Sequence, residues 1–167
     1  FLNLPARFLF LAPEISPKKS TNIFMASDSK TPFVFVDTNV LISLYNRKDA
    51  LHKKALFVFK SLSSIKAKLI ISNYVLLEVF TILSQKAGKK KAIEFGKHIR
   101  EENPFIIKWV GEKDDAKIWE IFQKVKDKNI SYVDCSVVAQ VVLGDYELCT
   151  FDQKLQKLTK DFSSKIY

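Results

Sequence analysis

From Thr31 onward, short runs of apolar residues alternate with longer segments whose apolar positions recur at helical spacing. The short runs are rich in Phe, Val and Ile, which is typical of buried strands. They predict four strands, at residues 33–36, 69–71, 105–110 and 146–150.

The longer segments predict helices. Leu51, Ala55, Phe59 and Leu62 recur every three or four residues, and Ser72 and Ser131 are suitable N-caps. The predicted helices cover residues 40–46, 49–65, 72–87, 89–102, 112–128 and 133–143. A short helix or loop is expected after residue 152, and residues 162–167 are a candidate edge strand.

Short apolar strands separated by helices indicate parallel crossovers and a sheet that is covered on both faces. We therefore expect an α/β fold, with three layers (α/β/α) and a central, mainly parallel sheet of four or five strands. Residues 31–167 are expected to form a single domain. Residues 1–30 contain three prolines and little periodicity, and Met25 is the only methionine. We expect this segment to be a disordered or non-native extension, with natural translation starting at Met25.

Composition narrows the class of partner. The chain has 27 Lys and Arg against 18 Asp and Glu, for a net charge of +9. This balance favours nucleic acid as a partner, with an acidic protein or a membrane surface as alternatives.

Cys135 and Cys149 lie outside any CxxC pair, so we expect reduced thiols and a cytoplasmic protein. No apolar stretch is long enough to span a membrane. His52 and His98 are interpreted as surface helix positions.

Four carboxylates interrupt apolar segments. Asp37 follows the first predicted strand, and Asp152 lies two residues beyond the fourth. Glu78 lies on the inward stripe of one helix and Asp134 in the first turn of another. A buried charge is costly unless it is paired, hydrogen-bonded or bound to a metal. Because ligands bind beyond the carboxyl ends of parallel strands, we expect the four to converge there.

A carboxylate cluster without His or Cys suits hard cations, and Mg²⁺ or Mn²⁺ fits best. Such ions activate water and stabilise the attacking and leaving oxygens of a phosphodiester. Three polar residues, Thr38, Asn39 and Thr150, would support the site. A purely structural interpretation stays open for the three aspartates, as helix caps, first-turn acids or turn residues. Capping does not explain Glu78, although a salt bridge to a distant lysine would.

Lysines surround one helix boundary, at Lys86, Lys89 and Lys90, and two more, Lys53 and Lys54, lie on another helix. If they rim the carboxylates, they would hold the phosphates of RNA, and binding would weaken with salt. Solvated lysine faces that only keep the protein soluble explain them equally well. The Phe residues are expected mostly in the core, and no aromatic residue is predicted to stack on bases.

Four segments, in order, resemble the PIN-domain nuclease family over residues 32–158. Asp37-Thr38-Asn39 after the first strand resembles the opening motif of that family. The later segments supply Glu78, then Asp134 within Tyr-Val-Asp-Cys-Ser, then Asp152 within Thr-Phe-Asp. All four acidic positions follow the family pattern.

The resemblance implies a metal-dependent endoribonuclease, a hydrolase that cleaves single-stranded RNA, most similar to VapC-type toxins of toxin–antitoxin pairs. It implies that the four acids, Asp37, Glu78, Asp134 and Asp152, are catalytic and hold one or two Mg²⁺ or Mn²⁺ ions. It also implies a homodimer and a cognate antitoxin that silences the active site.

Other functions stay open at this point. A haloacid-dehalogenase-type phosphatase usually has a second Asp where this chain has Asn39, and a receiver domain would need an acidic pair before its first site. A non-catalytic RNA-binding module of the same fold is one alternative. A housekeeping RNA-processing nuclease or a DNA flap nuclease is another.

Overall fold

A computed structural model describes residues 31–163. In chain order its elements are β1 (Phe33–Val36), α1 (Thr38–Tyr45), α2 (His52–Ser64), β2 (Lys68–Ser72), α3 (Asn73–Lys86), α4 (Lys89–Glu101), β3 (Ile106–Lys108), α5 (Glu112–Lys124), α6 (Tyr132–Gly144), β4 (Glu147–Cys149) and α7 (Gln153–Ser163). The predicted extension at residues 1–30, and residues 164–167 of the predicted edge strand, lie outside the described residues.

The four described strands form one parallel sheet in the order β3-β2-β1-β4. This confirms the predicted three-layer α/β fold, with its lower strand number. The two central strands are the most apolar: Val34, Phe35 and Val36 of β1 and residues 69–71 of β2 are buried. Full burial on both faces explains why these strands are continuous apolar runs rather than alternating patterns.

The sheet register determines which residues leave the sheet side by side. Val36 of β1 pairs with Cys149 of β4, so Asp37 and Thr150 follow at the same level. On the other side Phe35 pairs with Ile70, which brings Ser72 to the level of Asp37. Ser72 caps α3 by accepting a hydrogen bond from the Val75 N–H at 3.2 Å. The start of α3 therefore lies beside the end of β1.

The last third of the domain departs from two predictions. Helix α5 ends at Lys124 rather than at residue 128, because Val125 is extended and Asp127 Oδ1 accepts the backbone N–H of Asn129 at 3.0 Å. The segment after Asp152 is a full helix, α7, whose buried positions Leu155, Thr159 and Phe162 recur at helical spacing. Phe162 is thus helical, and the edge strand predicted from that residue is wrong at its start.

His98 is the other correction, because it is buried rather than on the surface. Only 7% of the residue is exposed, and its Nδ1 is hydrogen-bonded to the Tyr45 hydroxyl across the contact between α1 and α4. Its Nε2 lies 3.3 Å from the Glu102 carboxylate. Burial lowers the pKa of His98. Among residues 31–163, no helix has the length and apolar character needed to cross a membrane.

Candidate active site

Asp37 lies at the centre of the carboxyl edge of the sheet. It is 4% exposed and caps α1, with its Oδ1 accepting the Thr38 N–H at 2.7 Å. Its Oδ2 accepts a hydrogen bond from the Thr150 hydroxyl at 2.7 Å. The Asp37 backbone N–H also donates to the Cys149 carbonyl at 3.0 Å, which holds β1 against β4. The carboxylate is therefore fixed from both sides.

Thr150 and Asn39 form a polar network around Asp37. The Thr150 hydroxyl accepts from the Asn39 amide and from the Asp152 N–H, each at 3.0 Å, while it donates to Asp37. Asn39 Oδ1 accepts the Phe151 N–H at 3.1 Å. Because the Thr150 hydroxyl has one proton, its two acceptor contacts direct that proton to Asp37. Thr150 and Asn39 thus lie where the sequence predicted supporting polar groups.

Thr38, the third predicted supporting residue, differs from the other two. Its backbone N–H binds Asp37, but its Oγ1 is buried without a hydrogen-bond partner among residues 31–163. A buried hydroxyl without a partner is costly. It is a group that a bound water or ligand would satisfy.

Burial raises the pKa of the Asp37 carboxyl to about 6 from its ordinary value of 3.8. The hydrogen bonds from Thr150 and Thr38 act in the opposite direction, and the negative charges of Asp134 and Glu78 raise the pKa further. Those charges act on Asp37 because folding has brought them close to it. Three of the four predicted acids therefore share one region, where a cation would relieve their repulsion.

Glu78 and Asp134 reach this region from different helices. Asp134 lies in the first turn of α6, where its Oδ2 accepts the Ser131 N–H and hydroxyl at 2.7 and 2.8 Å. Glu78 lies in the middle of α3, is half-buried, and has no hydrogen bond or ion pair within residues 31–163. The alternative of a salt bridge from Glu78 to a lysine therefore finds no support among the described residues.

Asp152, the fourth predicted acid, lies at the start of the last described helix. It caps α7, with its Oδ1 accepting the backbone N–H groups of Lys154 and Leu155 at 2.7 and 3.3 Å. Its charge raises the pKa of Lys154. It is joined to the centre through its N–H bond to Thr150.

The carboxylate oxygens of this region can be compared with the ligands that a divalent cation requires. Within residues 31–163, no group of three His, Cys, Asp or Glu side chains is arranged to hold a metal ion. Capping bonds account for this in part, because Asp134 and Asp152 each turn one oxygen toward their own helix. Mg²⁺ needs only one or two protein carboxylates and keeps several waters. The oxygen-only set at Asp37, Glu78 and Asp134 fits that requirement.

The lysines lie at different distances from this region. The ammonium group of Lys54, on α2, lies 4.7 Å from the centroid of the Phe151 ring, beside the polar network. By contrast, the predicted RNA-binding lysines surround the turn between α3 and α4, at Lys86, Lys89 and Lys90, and all three are exposed. Lys86 follows Glu78 by eight residues, which is about 12 Å along a helix. Lys54 was one lysine among several in the sequence, and only the fold singles it out.

Comparison with known proteins identifies the family. Residues 34–161 match the PIN domain. Mycobacterium tuberculosis VapC20, described as a toxin that cleaves the sarcin-ricin loop, is a similar structure with a TM-score of 0.65 and 25% identity; the match covers 74% of this chain and 93% of that one.

Two further structures share the fold at lower identity. FitAcB from Neisseria gonorrhoeae has a TM-score of 0.60 and 17% identity, over 76% of this chain and 93% of that one. VapBC2 from Rickettsia felis, solved with a fragment of promoter DNA, has a TM-score of 0.57 and 16% identity, over 75% and 91%. No curated protein matches the sequence. These findings confirm the predicted resemblance and support a nuclease that acts on nucleic acids. The chain belongs to the PIN domain family.

Proposed function

We propose that the protein is a divalent-metal-dependent endoribonuclease that cleaves single-stranded RNA, and that it is the toxin of a toxin–antitoxin pair. The observation that carries this proposal is the convergence of Asp37, Glu78 and Asp134. Burial opposes the ionisation of Asp37, and the charges of Asp134 and Glu78 raise its pKa further. Three neighbouring carboxylates lower the stability of a protein unless a cation is bound. A role in binding a catalytic cation therefore explains why they lie together.

The four acids, Asp37, Glu78, Asp134 and Asp152, would hold one or two Mg²⁺ or Mn²⁺ ions. Such an ion, when bound, activates water and stabilises the charge that develops on the phosphodiester. Thr150 orients the Asp37 carboxylate through its 2.7 Å hydrogen bond, and Asn39 fixes Thr150 in turn. Glu78, with no structural partner among the described residues, is the acid most available to a ligand.

The RNA backbone would be held by lysines beside the acids. Lys54 is the best-placed candidate because its ammonium group lies over Phe151, next to Asp152. The predicted contacts at Lys86, Lys89 and Lys90 would serve only a strand long enough to reach the turn between α3 and α4. The net charge of +9 would draw RNA toward all of them.

The partners and location follow from the toxin proposal. We propose a cognate antitoxin, supported by the likeness to VapBC2 and FitAcB. A cytoplasmic location fits the two free cysteines, Cys135 and Cys149. Burial raises the pKa of each thiol to about 11, so both stay protonated and unreactive at neutral pH.

We also propose a homodimer. Apolar residues are exposed beside the open edge of β3, with Ile106 at 49%, Trp109 at 71% and Leu77 at 69%. The Val110 N–H donates to Asn73 Oδ1 at 2.8 Å. This bond joins the segment that contains Trp109 to α3, the helix that carries Leu77. A second copy would cover this surface. Sedimentation equilibrium is expected to give twice the chain mass, and Trp109→Glu is expected to give a monomer.

The cleavage assay uses a labelled pool of single-stranded RNA and the matching DNA, with Mg²⁺, Mn²⁺ or EDTA. We expect cleavage of RNA that needs the metal and is lost in Glu78→Gln. Binding of RNA without cleavage, in several RNAs and with metal present, would instead support the non-catalytic RNA-binding module. Equal cleavage of DNA would support a less selective nuclease.

A further inference from the structure

Three aromatic side chains, of which two are exposed and Tyr132 is half-buried, form a stripe on α5 and the start of α6. Trp119 and Phe122 lie one turn apart with ring centroids 6.1 Å apart, and they are 52% and 39% exposed. Phe122 meets Tyr132 edge to face at 5.4 Å. Contiguous apolar surface of this kind is characteristic of a binding site. We refer to Trp119, Phe122 and Tyr132 as the aromatic stripe.

One end of the aromatic stripe lies beside α3, the helix that carries Glu78. Tyr132 lies two residues before Asp134, in the first turn of α6. The phenol of Tyr74 is close enough to act on the pKa of Tyr132, and Tyr74 lies one turn before Glu78 on α3. The Tyr132 hydroxyl donates to Asp115 Oδ1 at 2.7 Å, which holds the ring in place. A molecule that reaches from the carboxylates onto α5 would therefore cross a fixed aromatic surface.

The loop that joins the two helices of the aromatic stripe carries cations that suit a nucleic acid. Lys126 and Lys128, on the loop between Phe122 and Tyr132, are exposed and have no ion-pair partner within residues 31–163. By contrast, Glu120 neutralises the two nearby lysines of α5, with which it forms bonds of 2.8 and 2.5 Å. Unpaired lysines in the loop that joins the two helices of the aromatic stripe suit a strand whose phosphates and bases alternate. Of the acids in the first turn of α5, Asp115 lies one turn before Trp119, and its Oδ1 accepts the hydrogen bond from Tyr132.

We propose that the aromatic stripe is a base-binding subsite, in which an unpaired nucleobase of the substrate strand stacks on Trp119 while the scissile phosphate lies at the carboxylates. Aromatic platforms bind single strands because every base has a flat face, and Lys126 and Lys128 would contact the flanking phosphates. The subsite selects RNA whose base is unstacked near the cleaved bond, and it excludes continuous duplex. This inference rests on the proposed function.

Fluorescence tests the proposal directly because the chain has only two tryptophans. In a cleavage-silenced Glu78→Gln background, Trp109→Phe leaves Trp119 as the reporter, and Trp119→Phe leaves Trp109. Titration with a pool of single-stranded RNA is expected to quench Trp119 and to leave Trp109 unchanged. The same RNA as a duplex is expected to quench neither.

Binding of fluorescein-labelled RNA, followed by anisotropy, gives the second measurement. Trp119→Ala is expected to weaken binding about 10- to 100-fold, and Trp119→Phe is expected to retain most of the affinity. Ile93→Ala is a matched control, since Ile93 is 51% exposed on α4. It is expected to leave affinity unchanged.

Several results would overturn the proposal. The subsite would be refuted if Trp119 fluorescence stayed unquenched while labelled RNA binds, or if Trp119→Ala bound RNA with unaltered affinity. Neither result would contradict the proposed nuclease activity. A loss of dimer mass in Trp119→Ala would assign the aromatic stripe to contact with a second copy. Absence of both RNA binding and RNA cleavage in the unmodified protein would refute the proposed function together with the subsite.

Discussion

The buried Asp37 carboxylate makes the folded protein less stable at neutral pH, and Asp37→Asn tests this. Its pKa is about 6 in the folded protein and 3.8 ordinarily. Because the folded state binds the proton more tightly, stability falls as the pH rises from about 4 to 6 and stays low above that range. The difference corresponds to about 3 kcal/mol at pH 8.

Asparagine removes that cost but also loses an interaction. Asp37 accepts from both Thr38 and Thr150, whereas asparagine has a single acceptor oxygen. The lost hydrogen bond is worth about 1 kcal/mol. The net gain is therefore about 2 kcal/mol at pH 8, or a Tm higher by roughly 4–8 °C for a domain of this size. Below about pH 4 the variant is expected to be equal to or less stable than the unmodified protein.

The assay is thermal unfolding in EDTA across pH 4–8. Asp127→Asn is a matched control with the opposite sign, because the Asn129 N–H and Lys154 lower the pKa of Asp127. That variant is expected to lose stability at neutral pH and to approach the unmodified protein in acid. An Asp37→Asn protein that is less stable at pH 8, or a difference that does not vary with pH, would refute the reasoning.

Three further variants test separate parts of the site. Glu78→Gln is expected to lower RNA cleavage at least about 100-fold with little change in Tm, since Glu78 has no structural partner among residues 31–163; a large Tm loss would contradict this. Thr150→Val removes the donor to Asp37, so we expect about 1.5–3 kcal/mol lower stability at pH 8. It should also raise the Asp37 pKa and move the pH profile of cleavage to higher pH; an unmoved profile would count against the role of Thr150. Lys54→Ala is expected to weaken RNA binding and to reduce the slope of log affinity against log salt by about 1, whereas an unchanged slope would exclude a phosphate contact.

The sequence predicted the parts of the fold that depend on local pattern. The buried run Phe33–Val36 and the Ser72 and Ser131 caps are visible as residue types at fixed spacing, and the structure confirms each. Helix α7 was harder to predict, because its exposed Lys and Gln residues conceal a stripe of only three buried positions. The prediction that His98 lies on the surface was wrong, because its partner, Tyr45, is 53 residues away along the chain.

The site shows the same division. The sequence showed that Asp37 and Asp152 each follow a strand. It did not show whether these aspartates cap a helix or bind a metal ion. The structure shows that Asp37 and Asp152 both cap helices, and that the Asp37 carboxylate also lies among other acids. The aromatic stripe was missed because Trp119 and Phe122 have helical spacing, as core residues also do. The exposure of these two side chains depends on which elements pack against α5, and the local spacing of residues does not reveal this.

Binding of Mn²⁺, followed by the loss of the free-ion electron paramagnetic resonance signal, tests the shared carboxylate site most directly. At pH 7.5 we expect the unmodified protein to bind one or two ions, and Glu78→Gln to bind them at least about tenfold more weakly. Binding should also weaken at pH 5, where Asp37 is protonated. Equal Mn²⁺ affinity in the two proteins, or affinity that does not change between pH 7.5 and 5, would contradict the account.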